Sequence, residues 1–115
     1  MASLIESHCE PCRGGVPPLT PDEVRAMLTK IPEWHMVERD RTMRIERGFK
    51  FADFAAALAF AIRVGELAES EEHHPDLHIS GGRVRVETWT HKIRGLHRND
   101  FIMAAKIDQL ASPKA

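Results

Sequence analysis

The sequence predicts an α+β fold: a two-layer sandwich ordered α-β-β-α-β-β-α, with helices packed on one face of a four-stranded antiparallel sheet. Three observations carry that prediction. A capping box opens a helix at Thr20 to Glu23, two alternating stretches each fold back about a short turn, and a long block rich in Ala, Leu, Phe and Glu separates them. Sheet and helices each expose an apolar face, and two layers are the economical way to bury both.

The first helix spans Pro21 to about Lys30. Thr20 is its N-cap, Pro21 its first residue and Glu23 the partner of the cap, and Val24, Met27, Leu28 and Ile31 recur at helical spacing before Pro32. Trp34 to Glu38, an Arg39-Asp40 turn and Thr42 to Phe49 then alternate as paired strands. The block from Phe51 to about Glu71 has two apolar stripes, one through Phe54, Leu58, Ile62 and Gly65, the other through Phe60, Val64 and Leu67. One stripe serves the helix's own sheet. The second implies another helix or a partner subunit, unless the helix is buried all round. Glu69 continues the first stripe, so its carboxylate is expected on the core side. Leu77 to Ser80, a Gly81-Gly82 turn and Arg83 to Thr90 form a second hairpin, in which Val84, Val86, Thr88 and Thr90 alternate with Arg85, Glu87, Trp89 and His91. The last helix runs from about Asn99 to Leu110, burying Phe101, Ile102, Ala105 and Ile107, with Asp100 in its first turn.

Length and charge exclude several function classes. A chain of 115 residues has material for one modest core, so residues 19–111 read as a single domain, 1–18 as a loosely ordered leader and 112–115 as a tail. Sixteen Lys and Arg against 17 Asp and Glu leave a net charge of -1, which gives nucleic acid no electrostatic hold. The start lacks a basic head and the apolar run around Ala55 to Ile62 is too short to span a bilayer, so a cytoplasmic protein with no membrane partner is expected. The leader holds both cysteines, Cys9 and Cys12, beside His8. Three local ligands are one short of a structural zinc site, and reduced, solvated thiols are the plainer expectation.

The chemistry is concentrated between Glu69 and Asp100. Five of the seven histidines (His73, His74, His78, His91 and His97) fall in this window, together with both carboxylates, and imidazole is the side chain suited to proton transfer near neutrality. Pro75 restrains His74 to an extended conformation, so His73 and His74 point opposite ways and need not share a task. The same divergence argues against His73, His74, His78 and Glu69 as a chelating metal set, and no helical HExxH pair is present. No cysteine or nucleophile-elbow serine lies in the cluster. A hydrogen-bonded structural cluster remains the alternative to an acid/base site.

Glu69-Ser70-Glu71-Glu72-His73-His74-Pro75, then Thr90-His91, Gly95-Leu96 and Asp100-Phe101, resemble in order the signature of the pterin-4a-carbinolamine dehydratases. The resemblance extends from about Thr20 to Asp108, takes in Trp34, and includes the Cys-x-x-Cys-Arg-Gly-Gly leader of a bacterial subgroup. It implies the sandwich above, assembled as a homodimer or homotetramer. It also implies a pterin substrate, 4a-hydroxytetrahydropterin, which loses water to give quinonoid dihydropterin without a metal or an organic cofactor. By the resemblance His73, His74 and His91 are catalytic, with His73 and His91 handling the hydroxyl and His74 binding and removing a proton. Glu69 and Asp100 orient them, and Pro75 and Trp34 complete the binding set.

Three positions depart from the family pattern. Gly81 stands where a ring usually walls the pterin pocket, Arg94 where the related subgroup has glycine, and His97 where it has a Ser or Thr cap. Such changes suit a dehydratase-like protein turned to a non-catalytic role, such as a RuBisCO assembly factor in a carboxysome context, with Arg83, Arg85 and Trp89 as a protein-binding face. A pterin-handling role in molybdenum-cofactor metabolism shares the same site. Dehydratase and scaffold are the two readings that the structure has to weigh.

Overall fold

Thr20 starts the first helix by the box its sequence encodes. Its hydroxyl accepts the Glu23 N–H at 3.2 Å while the Glu23 carboxylate accepts the Thr20 N–H at 2.8 Å, and α1 (Pro21–Leu28) follows. The computed structural model describes residues 4–9 and 16–111; Cys12 and the expected tail at 112–115 lie outside them. The helix ends at Leu28, and Ile31 and Trp34 drop into the core through backbone turns.

In the first hairpin β1 (His35–Arg39) pairs antiparallel with β2 (Thr42–Lys50), and the turn falls at Asp40-Arg41, one residue later than expected. Both turn residues have positive φ, 52° and 61°, which matches the twist of a two-residue hairpin, and aspartate tolerates that region better than most residues. The long helix α2 (Phe54–Glu71) begins later than Phe51 because Asp53 caps it, accepting the Ala56 N–H at 2.8 Å. Phe51 instead donates its N–H to Gly82 O at 2.7 Å, and a Cβ on Gly82 would sit 2.7 Å from Phe51 O, so glycine is required there by close approach.

β3 (Asp76–Ser80) and β4 (Arg83–Thr88) form the second hairpin, a short 3-10 turn follows at His91–Ile93, and α3 (Arg98–Ala111) closes the chain. The strand order is β1-β2-β4-β3 with every pair antiparallel, as the fold class requires. Ile45, Phe49, Val84 and Val86 face α2 and α3 and are buried among Phe60, Val64, Phe101, Ile102 and Ile107. The other sheet face carries the alternate residues, among them Arg44, Glu46, Gly48, Lys50, Arg83, Arg85 and Glu87. Among the described residues no helix is long and apolar enough to cross a membrane.

The two stripes of α2 are assigned opposite to one expectation. Ala57, Phe60, Ala61, Val64 and Ala68 are buried, because three alanines let the helix backbone approach its neighbours closely. Phe54, Leu58 and Ile62 are left 53%, 40% and 55% exposed. Glu69 therefore lies on the outward stripe with its side chain 78% exposed, not toward the core. The leader also makes contacts: Leu4 is buried, and Cys9 is half-buried with its N–H on Glu71.

Candidate active site

The C-terminus of α2 delivers the first histidine. Glu72 adopts the left-handed conformation (φ 55°), its N–H reaching Glu69 O and the His73 N–H reaching Ala68 O at 3.2 Å. This paired closure is a Schellman motif, and it turns the chain so that His73 enters the interior just before β3. There His73 Nε2 lies 2.7 Å from Asp100 Oδ1, with both side chains buried.

Asp100 has no exposed surface, and four groups surround its carboxylate. His73 Nε2 and the Thr88 hydroxyl meet Oδ1, while the Thr90 hydroxyl and the His97 N–H meet Oδ2. A buried carboxylate is tolerated when each oxygen is satisfied in this way. A carboxylate oxygen accepts, so the hydrogen of the His73 ring belongs on Nε2, which leaves Nδ1 as the nitrogen available for other chemistry.

The sequence reading did not anticipate that Thr88 and Thr90 hold Asp100: Thr90 entered it only within the signature and Thr88 only as an alternating strand residue. The signal was present: hydroxyls at Thr88, the last residue of β4, and at Thr90, just before His91, continue the alternation in which Val84 and Val86 are buried.

His74 points the other way, as Pro75 requires, and its Nε2 meets Glu69 Oε2 at 2.5 Å in an exposed pair. His91 opens the 3-10 turn, held there because Thr90 and Gly95 exchange backbone hydrogen bonds of 2.8 and 3.4 Å. Its ring stacks on Trp89 with centroids 3.8 Å apart, and the Arg44 guanidinium lies 4.4 Å from the same indole. Asp100 thus connects His73 to the residue preceding His91, while His74 and Glu69 form a separate pair at the surface. The two carboxylates expected to orient the histidines meet one each: Asp100 meets His73 and Glu69 meets His74.

Trp34 is placed elsewhere. It is buried beneath Phe49 and donates its indole N–H to Asp108 at 2.8 Å, about 12 Å along α3 from Asp100 at 1.5 Å per residue. Gly81 lies in the β3–β4 turn, the full length of β3 beyond Pro75, so within one chain the missing ring does not open the His73 cluster. His78 lies on the open sheet face, opposite Arg85.

Of the other two departures, His97 has a local explanation and Arg94 does not. His97 replaces the hydroxyl cap with its own ring: Nδ1 accepts the Asn99 N–H at 3.1 Å, and Asp100 accepts the His97 N–H at 3.0 Å, a capping box built from imidazole and carboxylate. Arg94 has φ 50°, the conformation glycine adopts without strain.

Beside the cluster, Glu71 ties three elements together. Its carboxylate accepts from Lys106 at 2.5 Å and from the Cys9 N–H at 2.8 Å, and it lies 3.1 Å from His8 Nδ1. Burial alone raises its pKa, yet these partners pull it down to about 2. The Cys9 thiol is pushed up to about 12 by burial and by the charges of Glu71 and Asp100, and its Sγ lies 3.6 Å from Asn99 O. It is a poor nucleophile or metal ligand in that state.

Residues 17–110 match the family model described as pterin 4 alpha carbinolamine dehydratase. Proteins named "Putative pterin-4-alpha-carbinolamine dehydratase" from Methylococcus capsulatus and Chlorobium luteolum are 52% and 51% identical over 110 residues, 96% of this chain and 95% and 96% of theirs. The crystal structure of a transcriptional coactivator/pterin dehydratase from Brucella melitensis is 34% identical with a TM-score of 0.75, covering 82% of this chain and 98% of that one. A pterin dehydratase-like protein described as a RuBisCO assembly factor of the alpha-carboxysome is similar at 19% identity and a TM-score of 0.60, over 71% of this chain and 93% of its own, a likeness of fold.

Proposed function

Because the chain belongs to the pterin-4a-carbinolamine dehydratase family, a family of hydro-lyases, we propose that it removes water from a 4a-hydroxytetrahydropterin by general acid/base catalysis. The C4a–O bond breaks and the hydroxyl leaves with an added proton as water. The N5 proton is removed, and the C4a–N5 double bond forms. His73 and His91 serve the departing hydroxyl, and His74, paired with Glu69, serves binding and the N5 proton. The observation that carries this reading is the buried His73–Asp100 pair, in which a four-fold satisfied carboxylate fixes the tautomer and aim of one imidazole. Positioned acid/base groups of this kind are typically worth ~10²–10⁴ in rate.

The test is ultraviolet absorbance of carbinolamine dehydration by the wild type, His73→Ala and His91→Ala. A wild-type rate far above the spontaneous one, falling to near background in both variants, is the expected result. A wild-type rate equal to background removes the dehydratase reading.

The exposed Phe54, Leu58 and Ile62 stripe supports the expectation of a homodimer or homotetramer, because one helix face of this kind covers itself most simply against a copy of itself. Sedimentation velocity should show an oligomer that Ile62→Glu dissociates; a wild-type monomer sinks that part of the proposal. RuBisCO as a client has only a likeness of fold behind it, and the dehydratase is the reading supported here.

A further inference from the structure

The sheet face without helices carries a group of cations that the proposed reaction does not use. Lys50 stands opposite Arg83, which stands opposite Ser80; one row along, Gly48 is opposite Arg85, and Arg85 is opposite His78. All six line one cavity of about 590 Å³. Gly48 provides its space, since a Cβ there would meet nothing within 4 Å.

The nearby acids are already neutralised. Glu87 accepts from Arg44 at 2.5 Å and Arg85 at 3.0 Å and is also paired with Arg39, Glu46 accepts from Arg39 at 2.7 Å and Arg85 at 3.1 Å, and Asp76 lies 3.8 Å from Arg44. Burial raises the Glu46 pKa, but Arg39 and Arg85 overcome it and hold the group below its ordinary value, as an ionised partner. Lys50 and Arg83 have no acidic partner among the described residues, in a chain whose net charge is -1.

We infer that this cavity is a binding site for a small organic phosphate of sugar-phosphate size. Two uncompensated cations match a phosphate dianion, Arg83 offers the planar fork that grips its oxygens, and Ser80 adds a hydroxyl. The volume, in a half-open depression of the sheet face, falls in the range of small-molecule sites. Phe49, the ring beside it, is turned into the core, so no platform is offered to a nucleobase. His73 bonds Asp100 on the helix side at the opposite end of β3, roughly 17 Å away at ~3.4 Å per strand residue, so the ligand is not the pterin.

Ribose 5-phosphate, inorganic phosphate and ribose are titrated into the full chain at constant ionic strength, with backbone amides followed by NMR. Saturable shifts confined to Gly48–Lys50, His78–Ser80 and Arg83–Arg85 are expected with both phosphates and absent with ribose. Lys50→Ala and Arg83→Ala should each weaken binding about tenfold, the effect of losing one charge-assisted contact. Gly48→Leu, which fills the cavity with an apolar side chain, should abolish it while the amide spectrum shows an intact fold. Linear, unsaturable shifts, or binding by Gly48→Leu equal to the wild type, would overturn the inference. So would stronger binding to phosphatidylserine vesicles or to an acidic peptide than to ribose 5-phosphate.

Discussion

Replacing Glu71 with glutamine should remove a contribution to stability that the wild type holds near neutrality and loses in a defined acid window. Glu71 ends α2, its side chain is only 6% exposed, and it accepts from Lys106 and the Cys9 amide. In the folded state its pKa falls from 4.5 to about 2. A carboxylate whose folded pKa is depressed stabilises the fold above its unfolded value and loses that contribution as pH falls through the folded one. The window is therefore pH 4.5 down to about 2. At ~1.4 kcal/mol per pH unit the difference corresponds to about 3 kcal/mol, and solvent screening around the exposed His8 partner reduces it to about 2 kcal/mol. Glu71→Gln keeps the shape and one acceptor but loses the charge. In urea unfolding followed by tryptophan fluorescence, the variant should be about 2 kcal/mol less stable than the wild type at neutral pH, and the two should converge near the bottom of the window. Hydrogen exchange at the Cys9 amide should accelerate in parallel, since its acceptor is weakened. A gap that stays constant with pH, or no gap at neutrality, would refute the assignment of Glu71 as an ionised anchor.

Two further predictions concern the loop and helix after His91. His97→Ala should cost about 1 kcal/mol in thermal unfolding and His97→Ser should recover most of it, because serine restores a cap; equal losses in both would show that the ring does not cap α3. Arg94→Gly should stabilise the protein by about 1 kcal/mol by relieving its left-handed backbone, and a loss of stability in denaturant unfolding would contradict that reasoning.

The elements were legible because their signals are local. Thr20 and Glu23 name their own helix start, Gly81-Gly82 names its own turn, and alternation marks both hairpins. The orientation of α2 was not legible. Each stripe is apolar enough to be buried, and the choice rests on Ala57, Ala61 and Ala68, whose merit is small size against a neighbour that the helix sequence does not contain. Glu69 followed the wrong stripe for that reason. A signature could name Asp100 among the orienting carboxylates, but its pairing with His73 and the contribution of Thr88 and Thr90 required knowing that β4 passes under the start of α3. The leader was read from Pro and Gly content, which registers neither the burial of Leu4 nor the attachment of Cys9 to Glu71.

Asp100 also bears on how this protein can change over evolutionary time. The same carboxylate closes the cap of α3 through His97, anchors the Thr88 and Thr90 hydroxyls and aims His73. A substitution there loosens a helix start, leaves buried hydroxyls without their acceptor and misdirects an imidazole together. Descendants of this chain can change at Arg94 or Gly81 for no more than the strain of a left-handed backbone position, whereas a lineage that abandons the chemistry still has to retain Asp100 to fold. An intact Asp100 in a relative is thus a marker of architecture, and under the proposed mechanism an intact His91, which the core does not need, is the better marker of retained activity.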